Sequence, residues 1–329
     1  MSRWWGAIGL AGMLLAGCGG SAAVVSPPEA VEDVAFAAVA TAEPEREPTP
    51  AAPTLTPTRT PTSREAPLQP SISAVPPMLR EGRPVPAVDA SAVIVMDEAS
   101  GAVLWEQNAD ARLAPASLTK IATAVVALQK GDFAKVVEVD VDSKAMPGST
   151  VMGLVPGDRF SLQDLLYGVM LPSGNDAALA VGRAVSGTDG GFVWEMNTLV
   201  AKLGLRDTHF ANPHGLGNTN HYTSAYDLAA LARYAMSVEG FAPLSTTRSW
   251  TASGSRDIRM SNLNTFLGSY PGADGMKVGY TRRAGHTLVA SATRNGHRVY
   301  VVLLNAPQSK ADAAKLLDWA FSSHVWPPP

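Results

Sequence analysis

Two residues that could carry out nucleophilic chemistry lie close together at the start of an apolar stretch. Ser117 and Lys120 are three positions apart in Ser117-Leu118-Thr119-Lys120, and residues with this spacing share one face of a helix. A serine hydroxyl is a weak nucleophile until a base takes its proton, and a lysine can be that base only if burial or a nearby cation keeps it partly neutral. The pattern alone is weak, because a helix with a capping serine and a solvated lysine would look the same.

Two further short motifs supply polar groups of the kind such a serine would need. Ser173-Gly174-Asn175 lies between Pro172 and Asp176. Because proline ends a helix and aspartate suits a helix start, we predict a turn between two helices whose side chains project into a cleft. Lys277-Val278-Gly279 stands at the entry to a predicted strand. A glycine there would let a substrate backbone approach closely.

The order of the three motifs resembles the signature of penicillin-binding proteins and class A β-lactamases. Their surroundings resemble one branch, the low-molecular-mass serine D-alanyl-D-alanine carboxypeptidases, over about residues 88–321. The resemblance rests on residues 113–120, 171–178, 212–216 and 274–277. It implies a hydrolase that removes the terminal D-alanine of peptidoglycan stem peptides through an acyl-enzyme. It also implies covalent inhibition by β-lactams and no cofactor.

The same resemblance implies three catalytic residues. Ser117 is expected to become the acyl-ester and Lys120 to take its proton. Ser173 is expected to relay a proton to the nitrogen of the leaving D-alanine.

Substrate-binding roles are implied in the same way. Asn175 is expected to hydrogen-bond the substrate amide, and Lys277 to lower the basicity of the site and attract the terminal carboxylate. Gly279 is expected to allow the close approach of substrate. The backbone N–H groups of Ser117 and Tyr280 are expected to form an oxyanion hole.

The sequence departs from the family pattern at two places. Val278 stands where threonine is usual, and residues 305–310 lack the arginine that binds the substrate carboxylate in many relatives, with Lys310 no more than a candidate substitute. A catalytically weakened peptidoglycan-binding module therefore stays open as an alternative. A class A β-lactamase is the nearer rival, but Glu195-Met196-Asn197 does not match its water-activating glutamate motif, and Gly174 replaces its usual aspartate.

Histidines and a lone aspartate suggest other chemistries less strongly. His214 in Asn-Pro-His-Gly-Leu could belong to a histidine-dependent triad, although Lys120 already fills the role of base. His209, His221 and His286 show no i, i+4 pair of the zinc-binding type, so we predict no metal. Asp227 is interpreted as a helix-start residue.

Apolar periodicity predicts strands at both ends of the folded part and helices between them. Residues 92–96 and 102–105 form one predicted hairpin, and residues 287–292 and 299–304 form another around Asn295-Gly296. Helices are predicted at residues 118–128, 162–171 after a capping Ser161, 177–184, 192–203, 227–235 and 311–321. The pattern indicates an α+β domain over residues 87–324. The terminal strands indicate an antiparallel sheet made from both chain ends and flanked by helices, and the resemblance makes the fold β-lactamase/transpeptidase-like.

The first residues predict export and anchoring. Residues 1–18 have a basic start at Arg3, a short apolar run and a lipobox that ends in Cys18, the chain's one cysteine. An ordinary signal peptide with an incidental cysteine is the alternative. Residues 19–86 are rich in Pro, Ala and Thr and are interpreted as a disordered tether or, less favoured, a binding motif. We expect an extracytoplasmic protein attached to the membrane through lipid at Cys18. The net charge of -3 argues against a nucleic-acid partner.

Overall fold

The computed structural model of the chain describes residues 75–328. The predicted signal peptide, Cys18 and residues 19–74 of the predicted tether lie outside the described residues. The helices are α1 Lys120–Lys130, α2 Leu162–Met170, α3 Asn175–Ser186, α4 Asp189–Lys202, α5 Ala225–Ser237, α6 Phe241–Thr246, α7 Phe266–Ser269 and α8 Ser309–Ser323. The strands are β1 Met78–Leu79, β2 Ala92–Asp97, β3 Val103–Gln107, β4 Val136–Glu138, β5 Arg159–Ser161, β6 Ser249–Ser253, β7 Asp257–Ser261, β8 Ala273–Thr281, β9 Gly285–Arg294, β10 His297–Leu304 and β11 His324–Val325.

A five-stranded antiparallel sheet in the order β3-β2-β10-β9-β8 unites the two ends of the folded part. This order confirms the α+β prediction. Both predicted hairpins form, and Asn295 and Gly296 have φ angles of 52° and 82° at the tight turn between β9 and β10, as an Asn-Gly turn of this kind requires. In this sheet β8 is an edge strand.

Helices cover both faces of the sheet, and this explains why β2 is apolar at nearly every position. Ile94 and Met96 face the larger core cluster, which includes the buried helix α1. Val93 and Val95 face a second cluster that contains Leu316 and Leu317 of α8. Since successive side chains of a strand point to opposite faces, a strand buried on both faces reads as a continuous apolar run.

Short polar side chains start three of the helices as their sequences suggest. Ser161 accepts a hydrogen bond from the backbone N–H of Asp164 at 3.0 Å, which confirms the predicted cap of α2. Thr188 and Ser224 cap α4 and α5 in the same way. Asp227 lies in the first turn of α5, as predicted. Capping hydroxyls satisfy N–H groups that have no partner within the helix.

The folded part begins earlier than the predicted boundary at residue 87. Met78 and Leu79 pair with Val325 and His324, and the backbone N–H of Arg80 donates to Ser323 O at 2.8 Å. Composition assigned residues 78–86 to the tether. It could not reveal this short strand because the pairing uses backbone groups, which every residue type except proline supplies in full.

Candidate active site

The three motifs meet beside the edge strand β8. Ser117 lies in a 3-10 turn, Ala116–Thr119, that leads directly into α1, and Lys120 is the first residue of that helix. In this geometry residues three apart lie on the same side of the turn. The Lys120 amine is fully buried and donates to Ser117 Oγ at 3.1 Å, to Asn175 Oδ1 at 2.6 Å and to the backbone carbonyl of His214 at 3.0 Å.

The surroundings of Lys120 favour its neutral form. Burial lowers the pKa of the Lys120 amine well below its ordinary value, and the positive charge of Lys277 lowers it further. The nearby carboxylate of Asp176 acts in the opposite direction but does not offset the other two effects. Burial and a neighbouring cation are the two conditions under which a lysine can act as the base beside Ser117.

Ser173 occupies a strained turn between α2 and α3. Its φ angle is 60°, a left-handed value that only glycine adopts readily. Its backbone carbonyl accepts a hydrogen bond from Thr150 Oγ1 at 2.8 Å. The Ser173 side chain is buried, and its hydroxyl has no hydrogen-bond partner among the described residues. A buried hydroxyl without a partner costs free energy, and bound substrate could supply the missing partner.

Asp176 holds a neighbouring loop in place beside this turn. Its carboxylate accepts hydrogen bonds of 2.8–2.9 Å from the backbone N–H groups of Met152, Gly153 and Leu154. The sequence indicated only that Asp176 helps to start α3. The loop contact spans more than twenty residues of chain and leaves no mark in the local pattern.

The edge strand β8 brings the third motif against the nucleophile turn. Lys277 is buried, its amine donates to the Val278 carbonyl at 3.2 Å, and burial lowers its pKa to about 7. A Cβ atom added to Gly279 would lie 2.9 Å from the backbone nitrogen of Ser117 and 2.6 Å from Thr287 Oγ1. Both distances are shorter than a normal contact, so glycine is required for this approach.

Tyr280 follows Gly279 and marks the exposed end of the site. Its side chain is 54% exposed, and its ring centroid lies 4.7 Å from that of His286 on β9. The structure therefore brings Ser117, Lys120, Asn175 and Gly279 into direct contact or close approach, and the charge of Lys277 acts on Lys120.

The residues that the sequence suggested for other chemistries, His214 and Glu195, have structural contacts. His214 contributes its backbone carbonyl to Lys120, while its ring nitrogen Nδ1 accepts from the Leu216 N–H at 3.1 Å. Burial and the nearby Lys120 lower the pKa of His214 to about 4. Glu195 forms an ion pair with Lys130 at the opposite end of α1 from Lys120, a position that does not suit a water-activating glutamate. Within residues 75–328 no three His, Cys, Asp or Glu side chains form a metal-binding group.

The structure also shows the surroundings of Val278 and Lys310, the residues at the two departures from the family pattern. Val278 is partly buried and packs against the second core cluster, on the α8 face of the sheet. Lys310 lies in the first turn of α8 and donates to Thr265 Oγ1 at 2.7 Å.

Comparison with known proteins agrees with this geometry. The sequence model of a family described as D-alanyl-D-alanine carboxypeptidase matches residues 80–308. D-alanyl-D-alanine carboxypeptidase DacC of Escherichia coli (strain K12) is 40% identical over 251 residues, which are 72% of this chain and 62% of that protein. DacF of Bacillus subtilis (strain 168) is 35% identical over 248 residues, 72% of this chain and 64% of the relative. This chain thus spans less than two thirds of the length of either relative.

A solved structure shows the same fold. The crystal structure of the Streptomyces K15 DD-transpeptidase superposes with a TM-score of 0.68 at 31% sequence identity, and the match covers 73% of this chain and 99% of that one. The matched region includes the motifs of Ser117, Ser173 and Lys277. This chain belongs to the D-alanyl-D-alanine carboxypeptidase family of low-molecular-mass penicillin-binding proteins.

Proposed function

We propose that this chain is a serine-type D-alanyl-D-alanine carboxypeptidase that removes the terminal D-alanine of peptidoglycan stem peptides. One observation carries the proposal: the Lys120 amine lies 3.1 Å from Ser117 Oγ, in surroundings that lower its pKa. A neutral amine has two N–H groups, which can keep the bonds to Asn175 and the His214 carbonyl, and one lone pair, which can accept the Ser117 proton at this distance, so it is a general base for the serine hydroxyl. Membership of the family supplies the substrate class.

In the proposed acylation step, Lys120 takes the Ser117 proton as Oγ bonds to the carbonyl carbon of the penultimate D-alanine. The N–H groups of Ser117 and Tyr280 hold the oxyanion that forms, and each such donor contributes about 2.7–4 kcal/mol. The Ser173 hydroxyl, which has no hydrogen-bond partner among the described residues, relays the proton taken up by Lys120 to the departing nitrogen, so both groups end the step in the state in which they began it. The C–N bond breaks and free D-alanine leaves.

Water then adds to the ester, releases the shortened peptide and restores the Ser117 hydroxyl. Asn175 is proposed to hydrogen-bond the substrate amide. The buried Lys277 is proposed to attract the terminal carboxylate as long as the Lys277 amine is protonated. A β-lactam presents a strained amide to the same serine and is proposed to remain attached as a stable ester.

We also propose that the peptidase works outside the cytoplasm on a lipid anchor at Cys18. The lipobox and the absence of any other cysteine in the sequence support the anchor, and the Pro-rich residues that follow suit an extended tether. Each buried CH₂ of an attached acyl chain would contribute about 0.8 kcal/mol to membrane binding. In the part of the chain that the structure describes, no helix has the length and apolar character to cross a bilayer.

Mass spectrometry tests the proposed reaction. Purified protein is incubated with a pentapeptide that ends in D-alanyl-D-alanine, and we expect the peptide to lose one alanine. The Ser117→Ala protein should leave the peptide intact and should not be labelled by a fluorescent penicillin. Loss of alanine at the wild-type rate in Ser117→Ala would refute the assignment of the nucleophile. A folded wild-type protein that is inactive on the peptide and unlabelled would refute the function.

A further inference from the structure

A chain of buried hydrogen bonds connects His221 to the peptide group that carries the proposed oxyanion donor. His221 lies in the loop between α4 and α5, and its Nε2 lies 2.8 Å from Thr119 Oγ1. The Thr119 hydroxyl in turn donates to the Ala116 carbonyl at 2.8 Å. The residues His221 and Thr119 are both buried, so water does not compete for these bonds.

The neighbouring groups determine which atom donates in each hydrogen bond between His221 and Ala116. The backbone N–H of Ala211 donates to His221 Nδ1 at 3.1 Å, so that nitrogen must be unprotonated. A neutral ring then carries its proton on Nε2 and donates it to Thr119 Oγ1. Thr119 has one hydroxyl proton, and it goes to the Ala116 carbonyl. Burial, with the nearby His214, His209 and Arg283, lowers the pKa of His221 to about 3, so the ring is neutral in the working range.

The last acceptor of these hydrogen bonds, the Ala116 carbonyl, is the group that bears on catalysis. The Ala116 carbonyl and the Ser117 N–H belong to the same planar peptide group, so a bond that fixes the oxygen also fixes the direction of the N–H. Ala116 has a left-handed φ of 49°, which an alanine keeps only when its surroundings impose it. Gly215 leaves room for this oxygen, because a Cβ atom at that position would lie 1.9 Å from it.

We propose that His221 and Thr119 are positioning residues that orient the Ala116–Ser117 peptide so that the Ser117 N–H points at the developing oxyanion. This inference rests on the proposed function, because it assigns a role within the proposed acylation step. Neither side chain touches the reacting atoms. The effect of removing them should therefore appear in the rate of acylation and not in the initial binding of substrate.

The test compares substitutions that each remove a single hydrogen bond from the series that joins His221, Thr119 and Ala116. Thr119→Val keeps the shape of the side chain but removes the donor to Ala116, whereas Thr119→Ser keeps the hydroxyl. At position 221, asparagine places its amide near the position of Nδ1, and glutamine places its amide near that of Nε2. His221→Asn therefore keeps the contact with Ala211 and loses the donor to Thr119, and His221→Gln does the reverse.

The readout is the single-turnover reaction with a fluorescent penicillin, which separates initial binding from acylation. Loss of a whole oxyanion-hole donor lowers kcat about 10²–10³-fold, so loss of its orientation should lower acylation by about tenfold or more in Thr119→Val and His221→Asn. Thr119→Ser and His221→Gln should stay close to the wild-type rate. Initial binding should be unchanged in all four. The double variant Thr119→Val/His221→Asn should be no slower than Thr119→Val, because both changes break one chain.

Thr123→Val is the matched control. Thr123 is equally buried and lies four residues further on, in α1, and its hydroxyl donates to the Pro213 carbonyl at 2.6 Å, which is not part of the hydrogen-bond chain to Ala116. The control should lose thermal stability as Thr119→Val does but keep its acylation rate. Equal acylation losses in Thr119→Val and Thr123→Val, or wild-type acylation in Thr119→Val, would overturn the inference. Failure of the wild-type protein to acylate would instead overturn the proposed function.

Discussion

A single methyl group at Gly279 should separate the edge strand from the nucleophile. The Cβ atom of alanine would lie 2.9 Å from the Ser117 backbone nitrogen and 2.6 Å from Thr287 Oγ1. The hydroxyl of Thr287 is held by the Pro115 carbonyl at 3.2 Å, and the Ser117 nitrogen belongs to the backbone, so neither gives way easily. Restoring ordinary contact distances would move β8 by roughly half an ångström from the Ser117 turn.

This displacement falls on the proposed oxyanion hole, which needs the N–H groups of Ser117 and Tyr280 at the same oxygen. Misplacement of reacting groups by about 1 Å can cost about 10²-fold in rate. We therefore expect Gly279→Ala to lower the acylation rate by about tenfold to a hundredfold. Overpacking of this kind typically costs about 1–3 kcal/mol of stability, so the protein should still fold.

Single-turnover labelling by a fluorescent penicillin and thermal unfolding measure the two effects separately. Gly190→Ala is the control, because Gly190 lies in α4 and a Cβ atom there would meet nothing within 4 Å. The control should be at least as stable as the wild type, since alanine favours a helix by about 1 kcal/mol over glycine, and should acylate normally. A folded Gly279→Ala protein that acylates at the wild-type rate would refute the argument that β8 must approach Ser117 this closely.

Four further outcomes are expected. Val278→Thr should raise kcat/KM for a D-alanyl-D-alanine peptide about tenfold or more, because a hydrogen bond to a charged carboxylate contributes about 1.5–3 kcal/mol; an unchanged value would place carboxylate binding elsewhere. Activity on carboxylate-bearing substrates should fall as pH rises through about 7, where Lys277 loses its charge, and Lys277→Arg, if it folds and acylates, should remove that fall because arginine stays charged; a persisting fall would point to another group. Asp176→Asn should lower the free energy of unfolding in urea by about 1.5–3 kcal/mol, and any remaining acylation should begin at lower pH, since the carboxylate that raises the pKa of Lys120 is gone; unchanged stability would contradict the loop-anchoring role. Cys18→Ser should release the protein from the membrane fraction or leave its signal uncleaved, and an unchanged, processed membrane pool would rule out lipid at Cys18.

The sequence predicted those parts of the fold that depend on local or periodic residue patterns. The apolar runs of β2, β9 and β10 and the Asn295-Gly296 turn fixed two hairpins, and pairing of the two chain ends followed from the α+β pattern. The motif spacing also predicted the contact between Ser117 and Lys120, which the structure shows at 3.1 Å. Such features are local, or periodic, and each leaves its own signal in the residue pattern.

The supporting contacts of the site could not be predicted in this way. His221 reaches Thr119 across 102 residues, and Thr287 reaches Pro115 across 172. A single buried histidine or threonine has no periodicity, and its partner depends on how distant loops pack. For the same reason, Asp176 was identified as a helix start, while its contacts with residues 152–154 became visible only in the fold.

The charges of the buried site explain why these supporting contacts are needed. Lys120 and Lys277 are both buried, yet no carboxylate forms a salt bridge of 4.0 Å or less with either amine among the described residues. Asp176 is the carboxylate whose charge raises the pKa of Lys120, and its oxygens accept hydrogen bonds from backbone N–H groups. A closer carboxylate would stabilise the two ammonium groups but would raise the pKa of Lys120 and leave it protonated. Burial and the charge of Lys277 can therefore keep the base neutral because the fold places no carboxylate against it, and the strained turns at Ala116 and Ser173 are held by neutral hydrogen bonds from Thr119 and Thr150.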